Sequence, residues 1–591
     1  MFKKAKLISM IMAMVMACSL VVGCGGGGGD GNGNGNGTSN GGQIDNEKTQ
    51  VILKFFQGTA TRDTAWLDTL IKNFTEANKE TVFESGKKGV QVTFSTTRNL
   101  PLTTLSSDGA DLYMAENDAD IYDLSIKGDI LDLTSVVTPL ESKIDSDAKK
   151  RMVGKDGKYY ALPSYDFYAG VPYDEDLLIK KNCFFAAPEA SDKQTFTSND
   201  CAFIKDGESF SIVANANAKK SCGPDGVYDT PDDGLPSSLQ EMLVWCWYMK
   251  TKAGVNPFVM GNDTNIYSFY LTHAIWASLA GYDAMRAVYT NFAEGGTDAE
   301  VVTGFSSTEN FYVSADGSVK IPMPIVENVK LTKENGYKAY DMSARYYSLA
   351  FLQIAYKEGW LVDNQGGNTG AMSQFICDGD SAMLYDASYW YHEAVAKGYF
   401  EDWEDEADPD VVAKGRHIKF LTCPSQLSGS VAENSGKKNT LMNLGNSYVF
   451  ANAHLDKAGN EGKKKASLGF LKYMYTDEGL GIFTGATGLS IPMEYNYTIP
   501  SDDISAAYYY NNVKDIKEHS DVVNYASDNQ YFKNNLKSFS LSWSSSITTF
   551  TINGTLIGNG YLDAIKKYNG TAQNIFEATK RSADTWATII G

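Results

Sequence analysis

The chain is poor in histidine and has little positive charge for its length. Only 5 of its 591 residues are histidine, and 52 Lys and Arg stand against 72 Asp and Glu, a formal net charge of −20. Nucleic-acid binding depends on basic surfaces that displace counterions from phosphates, so this balance argues against nucleic acid as a partner. A neutral ligand meets no such obstacle.

Several catalytic signatures are missing as well. The sequence has no HExxH pair, no GxSxG elbow and no GxxxxGK[ST] loop, which argues against a zinc protease, a serine hydrolase and a P-loop ATPase. The many acids include enough carboxylates for a glycoside hydrolase, but sequence does not show whether two of them lie a few ångströms apart. Most are expected to be solvated surface charges, and we therefore expect a chain that is not an enzyme and needs no cofactor.

Cysteine is scarce, and no CxxC pair occurs, which argues against a zinc ribbon or a thioredoxin-like site. Two of the eight cysteines, Cys18 and Cys24, belong to the N-terminal region. A local disulfide within one polar stretch of the chain and free thiols both remain open, and no pairing is assigned. The six cysteines of the body are Cys183, Cys201, Cys222, Cys246, Cys377 and Cys423.

Long apolar runs are also few, and the one at the N-terminus is short. It extends from Leu7 to Val22 behind three lysines, whereas a membrane-spanning helix needs about 20 apolar residues. A basic start and a short apolar core fit an export signal. The residues Val21-Val22-Gly23-Cys24 resemble the lipobox of bacterial lipoproteins, which implies cleavage before a lipid-bearing Cys24. A plain secretory signal and an uncleaved anchor are the alternatives.

The residues after Cys24 are almost all Gly, Asn, Asp, Ser and Thr as far as Asn46. Such a composition buries too little apolar surface to offset the entropy of ordering, so it predicts a flexible tether. We assign residues 1–23 to the signal peptide and 24–50 to the tether. The folded body then stands clear of the membrane to which Cys24 is attached.

Beyond the tether, strand-like and helix-like patterns alternate. Val51–Gly58 reads as a strand, Thr61–Ala77 as a helix with Trp66 on its apolar stripe, and Gly89–Ser95 as a second strand. Strand, helix and strand in this order predict a parallel βαβ unit. Asp111–Met114 then predicts another strand. In open α/β sheets, ligands bind beyond the carboxyl ends of the strands.

Later patterns extend the same alternation. A helix from Asp118 to Lys127 is predicted to stop at Gly128, and Gly234–Lys250 reads as proline, N-cap serine and amphipathic helix. Further helices are predicted at Lys465–Tyr475 and near Ile575–Ile590. The stretch from about 180 to 236 is polar and reads as an irregular insertion.

Taken in order, the motifs resemble the extracellular solute-binding proteins of ABC importers, in the sugar-binding group that includes maltose-binding protein. The motifs that carry the resemblance are Gly128-DILDLT-Thr134, Asp156-GKYYALP-Pro163, Leu235-PSSLQEML-Leu243, Phe375–Trp390, Ala466–Leu480 and Thr487-GLSIP-Pro492. Each is weak alone, and their order is what carries the resemblance. Leu239 and Ala387 depart from the usual Trp and Gly.

The resemblance implies an α/β fold of two lobes, each an open sheet flanked by helices, that close on ligand like a hinged clamp. We expect the strand crossovers near Tyr165 and near Phe420–Pro424. The expected lobes are 51–164 with 424–490, and 165–423 with 491–591.

The implied function is capture of a carbohydrate, most naturally an oligosaccharide, and delivery to membrane permease subunits by a lipid-anchored monomer on the extracytoplasmic face of a bacterial membrane. Aromatic side chains are 12% of the chain; they pack on the C–H faces of sugar rings, while Asp, Asn, Gln and Glu pair with hydroxyls. The alternatives are a binding protein for a peptide or another small polar solute, and a surface lipoprotein that captures glycans without a transporter.

The candidate ligand-binding residues lie at predicted strand ends and crossovers. Trp390 is expected to be a sugar platform, because three consecutive aromatic residues cannot all face one core, and Tyr389 is the fallback. The full set is Gln57, Glu116, Asn117, Asp118, Tyr165, Asp166, Tyr168, Asn262, Asp263, Tyr267, Asp386, Ser388, Tyr389, Trp390, Asn446 and Tyr448.

A separate acidic turn, Gly223-PDGVYDTPDDG-Gly234, carries four aspartates between two prolines. Crowded carboxylates with backbone carbonyls suit Ca²⁺, although the turn lacks the final glutamate of an EF-hand. A solvated acidic turn is the alternative to a calcium site. The candidate ligands are Asp225, Asp229, Asp232 and Asp233.

Overall fold

The computed structural model describes residues 44–56, 64–97, 100–116, 120–263, 265–431, 435, 438–445, 447–499, 503–525, 549–558 and 560–590. Several predicted residues lie outside these ranges: the signal with Cys24 and most of the tether, and also Gln57, Asn117, Asp118 and Asn446.

The strands are named in chain order. They are β1 (Thr49–Phe56), β2 (Val90–Thr97), β3 (Leu112–Glu116), β4 (Leu162–Pro163), β5 (Pro172–Asp174), β6 (Lys193–Thr197), β7 (Ser209–Val213), β8 (Asn256–Gly261), β9 (Thr297–Val313), β10 (Lys320–Leu331), β11 (Leu361–Asn364), β12 (Ser381–Leu384), β13 (Ile418–Phe420), β14 (Asn439–Asn443), β15 (Ser447–Ala451), β16 (Ser520–Asn524), β17 (Phe550–Ile552) and β18 (Thr555–Ile557).

The α-helices are named in the same way. They are α1 (Ala65–Ala77), α2 (Ile121–Lys127), α3 (Thr134–Val137), α4 (Ser146–Arg151), α5 (Glu175–Lys180), α6 (Leu239–Tyr248), α7 (Ser268–Ala280), α8 (Tyr282–Val288), α9 (Ser343–Lys357), α10 (Gly367–Ser373), α11 (Trp390–Ala396), α12 (Tyr399–Glu406), α13 (Pro409–Val412), α14 (Glu461–Met474), α15 (Asp477–Thr487), α16 (Ile504–Glu518), α17 (Gly560–Lys567), α18 (Ala572–Ala578) and α19 (Ala583–Ile590).

Two five-stranded mixed sheets organise the molecule. The first has the order β2-β1-β3-β15-β4, and β1 runs parallel to both β2 and β3. The second has the order β11-β8-β12-β5-β13, in which β8 runs parallel to β11 and β12. Helices pack on both sheets, as in α/β folds generally. The predicted α/β class with two open sheets is confirmed.

The chain passes between the two sheets more than once. It leaves the first sheet after β4 and enters the second at β5, and it returns between β13 and β15. Between these passes, β14 and β16 pair in parallel as a separate two-stranded sheet. This small sheet lies where the crossovers meet, and the lobe boundaries expected from sequence stay a prediction.

Local patterns in the N-terminal half predicted the elements well. Val51, Leu53 and Phe55 alternate inward along β1, and Trp66 lies on the buried stripe of α1. Helix α2 ends where Gly128 adopts a φ of 72°, a left-handed conformation that glycine adopts without steric cost. Ser238 caps α6 by accepting a hydrogen bond from the Glu241 amide, as the motif predicted.

Three predictions need correction. The C-terminal helix is two helices, α18 and α19, because Ser582 Oγ accepts from the Thr585 amide and starts a new helix. The insertion is not wholly irregular, since β6 and β7 form a hairpin whose Phe196 packs on Trp247 at 5.4 Å between ring centroids. The long antiparallel ribbon of β9 and β10 was not predicted from sequence.

The six body cysteines are free thiols in the described structure, so the question of a local disulfide is answered for this conformation. Within the same described ranges, no helix combines the length and the apolar character needed to cross a membrane.

Arg345 fastens the C-terminal region to the second lobe. Its guanidinium is 2% exposed and donates to the Tyr340 carbonyl, to Thr579 Oγ1 at 2.6 Å and to the Phe576 carbonyl at 3.0 Å. The Phe576 ring lies 4.4 Å from the guanidinium carbon. Two of these acceptors belong to α18 or the residue that follows it, so one buried cation holds that helix against α9.

We expect Arg345→Met to lower the free energy of unfolding by about 3 kcal/mol, because buried hydrogen bonds to a charged group are lost and their acceptors are left unsatisfied. Lys357→Met, at the exposed end of the same helix, is the matched control and is expected to change stability by at most about 0.5 kcal/mol. Urea unfolding measures both. Equal midpoints for the two variants would contradict this role.

Candidate functional site

The carboxyl ends of neighbouring parallel strands place several predicted residues at one edge of the second sheet. Asn262 and Asp263 follow β8, where Gly261 pairs in register with Asn364 at the end of β11. Asn262 Nδ2 donates to Gln365 Oε1 at 3.1 Å, and Asp263 Oδ1 accepts from the Asn368 amide at 2.9 Å. These contacts order polar groups at the edge where ligands bind in open α/β sheets.

An aromatic group lies beside this edge. The hydroxyl groups of Tyr389 and Tyr270 form a hydrogen bond of 3.0 Å. Between ring centroids, Tyr267 lies 5.1 Å from Tyr270, and Phe167 contacts Tyr389 edge-on at 5.3 Å. Phe167 belongs to the first crossover, Tyr267 and Tyr270 come after β8, and Tyr389 comes after β12. The group therefore joins the first crossover to residues that follow two strands of the second sheet.

Asp386 is a fully buried acid beside this aromatic group. It follows β12, is 0% exposed, and accepts a hydrogen bond from the Ala387 amide at 2.8 Å. Burial raises the pKa of Asp386 well above its usual range, and the neighbouring Glu393 charge raises it further. A carboxyl group that keeps its proton can donate a hydrogen bond as well as accept one.

We refer to Asn262, Asp263, Tyr267, Tyr270, Phe167, Asp386 and Tyr389 together as the carboxyl-end group. Of these, Tyr270 and Phe167 were missed in the sequence analysis. Tyr270 had a detectable signal, because it lies three residues after Tyr267 on one helical face. Phe167 had none, because nothing in a single sequence shows which side of a crossover a residue faces.

On the first lobe, Glu116 ends β3 and pairs in register with Ser447, and Tyr448 pairs with Ala115. Tyr448 is 4% exposed, and burial raises its pKa to about 12 against the opposing charge of Arg151. Tyr165 is equally buried and packs on Phe483, at 6.2 Å between ring centroids. The structure thus buries both tyrosines, Tyr448 on β15 of the first sheet and Tyr165 shortly after β4.

Asp166 belongs to a polar network at the crossovers. Asn443 Nδ2 donates to Asp166 Oδ1 at 2.7 Å and to Asn524 Oδ1 at 2.9 Å, and Asn443 Oδ1 accepts from the Gly445 amide. Burial raises the pKa of Asp166, and the charges of Lys517 and Arg151 oppose the rise. We call Asp166, Asn443 and Asn524 the hinge network, because Asp166 and Asn443 lie on the two crossovers and Asn524 ends the strand that pairs with β14.

Two further predicted residues lie beside the hinge network. Ser388 Oγ accepts from the Tyr168 amide at 2.9 Å, which ties the start of the second lobe to the segment after β12. Asp166, Tyr168 and Ser388 all line a cavity of about 560 Å³. Of the predicted residues, five therefore lie in the carboxyl-end group and three line this cavity, whereas Glu116, Tyr165 and Tyr448 lie in neither.

Trp390 does not lie in either place. At least one of residues 389–391 was expected to be exposed or to line a cleft, and none of them is exposed in this conformation. Tyr389, Trp390 and Tyr391 are 2%, 0% and 1% exposed. Tyr389 packs into the main core, whereas the next two rings pack into a second core that also contains Phe375 and Tyr509. Consecutive aromatic residues are all buried here because the start of α11 lies between two cores. A ring with no exposed surface does not stack on a ligand in this conformation.

We expect Trp390→Ala to destabilise the fold by about 3 to 5 kcal/mol, the usual cost of emptying a large aromatic site in a core. The ring lies 5.5 Å from Phe375 and 5.7 Å from Tyr509. Trp390→Phe keeps one ring and should lose less. Urea unfolding measures the difference, and a Trp390→Ala variant as stable as the parent would refute the core assignment.

The acidic turn uses its carboxylates internally. Asp225 Oδ1 accepts from the Val227 amide at 2.7 Å, Asp232 Oδ2 from the Asp225 amide at 3.2 Å, and Asp233 Oδ2 from the Asp229 amide at 2.9 Å. Among the described residues, no three acidic, His or Cys side chains are arranged to hold a metal ion. The calcium prediction gains no support from this geometry and stays a prediction.

One of these acids has an unusual titration. Burial raises the pKa of Asp232 to about 7, and a hydrogen bond from Thr230 opposes the rise. An unfolded aspartate titrates near 3.9. Between about pH 4 and pH 7 the folded chain therefore holds a proton that the unfolded chain has released, so this group makes the protein less stable as pH rises through that window.

Asp232→Asn should remove this pH dependence. We expect equal unfolding free energies for parent and variant near pH 3, and at pH 7.5 an advantage for the variant of up to about 4 kcal/mol, since a tenfold change in proton affinity is worth about 1.36 kcal/mol. Urea unfolding at the two pH values measures the gap. A gap that does not change with pH would rule the shift out.

Comparisons with known proteins show a similarity of fold. No protein-family model and no curated protein sequence matches the chain. Among solved structures, a chitin oligosaccharide binding protein superposes with a TM-score of 0.50 at 14% identity, covering 91% of this chain and 99% of that one. RafE in complex with raffinose gives 0.49 at 12%, covering 90% and 99%. The GacH receptor of Streptomyces glaucescens gives 0.47 at 12%, covering 92% and 99%.

At these identities the likeness concerns the fold alone. The chain has the mixed α/β architecture of the periplasmic binding proteins, with two main sheets flanked by helices. The likeness to sugar-binding solute receptors is therefore one of architecture.

Proposed function

We propose that this protein is the substrate-binding component of an ABC importer and that it captures a carbohydrate, in particular an oligosaccharide. The observation that carries the proposal is the carboxyl-end group, in which aromatic rings and polar side chains from the first crossover and the second lobe lie at the edge of the sheet. Rings of this kind pack on sugar C–H faces, and the amide, hydroxyl and carboxyl groups pair with sugar hydroxyls. The rings are only 2 to 6% exposed here, so the proposal requires a more open conformation in which the first crossover separates from the second sheet and a sugar reaches them. The fold it shares with a chitin oligosaccharide binding protein supports the same proposal.

The wider role follows from the N-terminal sequence. A lipid on Cys24 would hold the protein on the extracytoplasmic face of a bacterial membrane, and the Gly-rich tether would let the body reach permease subunits. The role proposed is binding and delivery, with no catalytic step. Capture of a peptide or another polar solute, and glycan capture without a transporter, are the competing functions.

Isothermal titration calorimetry against chito-, raffinose-type and malto-oligosaccharides, with a tripeptide in the same panel, tests the ligand class. We expect one oligosaccharide series to bind. Tyr270→Phe removes only a hydroxyl group from the carboxyl-end group, and its loss should weaken binding about tenfold, equivalent to about 1.4 kcal/mol.

The matched control is Tyr473→Phe on α14, whose hydroxyl contacts Glu478 at 3.0 Å. It should bind like the parent. Binding of the peptide with none of the sugars, or equal affinities for parent and Tyr270→Phe, would overturn the assignment of sugar to this group.

A further inference from the structure

The first crossover has two faces. Tyr165 and Phe167 bring their rings to 6.5 Å of each other, and Phe167 continues to Tyr389 in the carboxyl-end group. The alternate side chains, Asp166 and Tyr168, line the cavity of about 560 Å³ instead. Because successive side chains of an extended segment point to opposite sides, the cavity lies on the face of the crossover that the carboxyl-end group does not use.

The walls of this cavity come from both lobes. Lys143 and Asp477 belong to the first-lobe side, whereas Ser388 and the α16 residues Tyr510 and Lys517 belong to the second. A volume of this size falls in the range of small-molecule sites, about 300 to 1,000 Å³. A molecule held here would touch both lobes beside the hinge network.

Three lysines and five acids line the cavity. Lys143 pairs with Asp477 at 3.3 Å, and Lys514 lies 4.0 Å from Glu518. The further acids Asp145 and Glu494 leave the walls acidic, which argues against an anionic occupant. The Tyr495 and Tyr497 rings, 5.0 Å apart between centroids, add aromatic surface at the rim.

The space between the Asp166 and Lys517 side chains in the cavity fits one kind of ligand group. Asp166 Oδ2 and Lys517 Nζ are 3.9 Å apart, too far for a direct hydrogen bond. A hydroxyl group fits between them, because it accepts from the ammonium and donates to the carboxylate at once. A ligand ammonium would have no acceptor to offer Lys517, and a ligand carboxylate would have no donor to offer Asp166.

We propose that this cavity, which we call the hinge cavity, is a second binding site that takes a neutral polyhydroxy compound of mono- or disaccharide size. One hydroxyl bridges Asp166 and Lys517, and the carbon face of the ligand packs on the tyrosine rings. The site is separate from the carboxyl-end group and does not depend on the importer role. Its occupant bridges the two lobes and so couples to their relative position.

Crystal soaks and calorimetric titrations in solution together test the proposal. Crystals of the protein soaked separately in glucose, maltose and glycerol should show one of these molecules between Asp166 and Lys517. In calorimetric titrations with that compound, Lys517→Met removes one end of the gap, and Val513→Trp fills the cavity from α16. Each should weaken this binding event at least tenfold.

Two variants distinguish binding at the hinge cavity from binding at the carboxyl-end group. Tyr270→Phe should leave the hinge-cavity isotherm unchanged, and Val513→Trp should leave oligosaccharide binding at the carboxyl-end group unchanged. An empty cavity after all three soaks overturns the proposal, and so do isotherms that neither Lys517→Met nor Val513→Trp alters. Loss of oligosaccharide binding in Tyr270→Phe alone would bear only on the proposed function.

Discussion

The side chain of Asn443 is the contact on which the junction of the two crossovers depends. Its amide nitrogen donates to Asp166 and Asn524, its amide oxygen accepts from Gly445, and the residue is 0% exposed. Asp166 lies on the first pass of the chain between the sheets and Gly445 on the second, whereas Asn524 ends β16. A buried amide that satisfies three other groups fixes those passes in register, since any slip would leave buried polar atoms unpaired. Asn443 and Asn524 are also a cross-strand pair of β14 and β16, so the small sheet and the side-chain network reinforce each other.

The hinge gives the surfaces on either side of it different roles. On one side, Phe167 reaches the tyrosines and Asp386 at the carboxyl ends of the second sheet; on the other, Asp166 and Tyr168 face the hinge cavity. A ligand moves such a hinge only through contacts that differ between its positions. Each surface combines groups from the first crossover with groups that follow strands of the second sheet or belong to α16.

The sequence predicted more of the fold than of the candidate site. Alternation in β1, the apolar stripe of α1, the glycine stop at Gly128 and the Ser238 cap are local signals, and each predicted its element. Asp386 and Tyr389 were predicted at the second-lobe edge from motif position, but Trp390 was misplaced. Its neighbours Phe375 and Tyr509 are distant in sequence, so the residues next to Trp390 do not indicate that a second core lies behind α11. Asn443 was missed for the same reason, because its partners lie about 80 and 280 residues away.

Hydrogen–deuterium exchange with and without a bound oligosaccharide tests most directly whether the carboxyl-end group is where ligand meets the hinged lobes. Exchange reports local opening, so backbone amides ordered by a ligand become protected. The account predicts slower exchange in peptides covering 261–270, 384–390 and 165–168, with no change in α14 on the outside of the first lobe. Protection confined to other segments, or none in these three at saturating ligand, would contradict it.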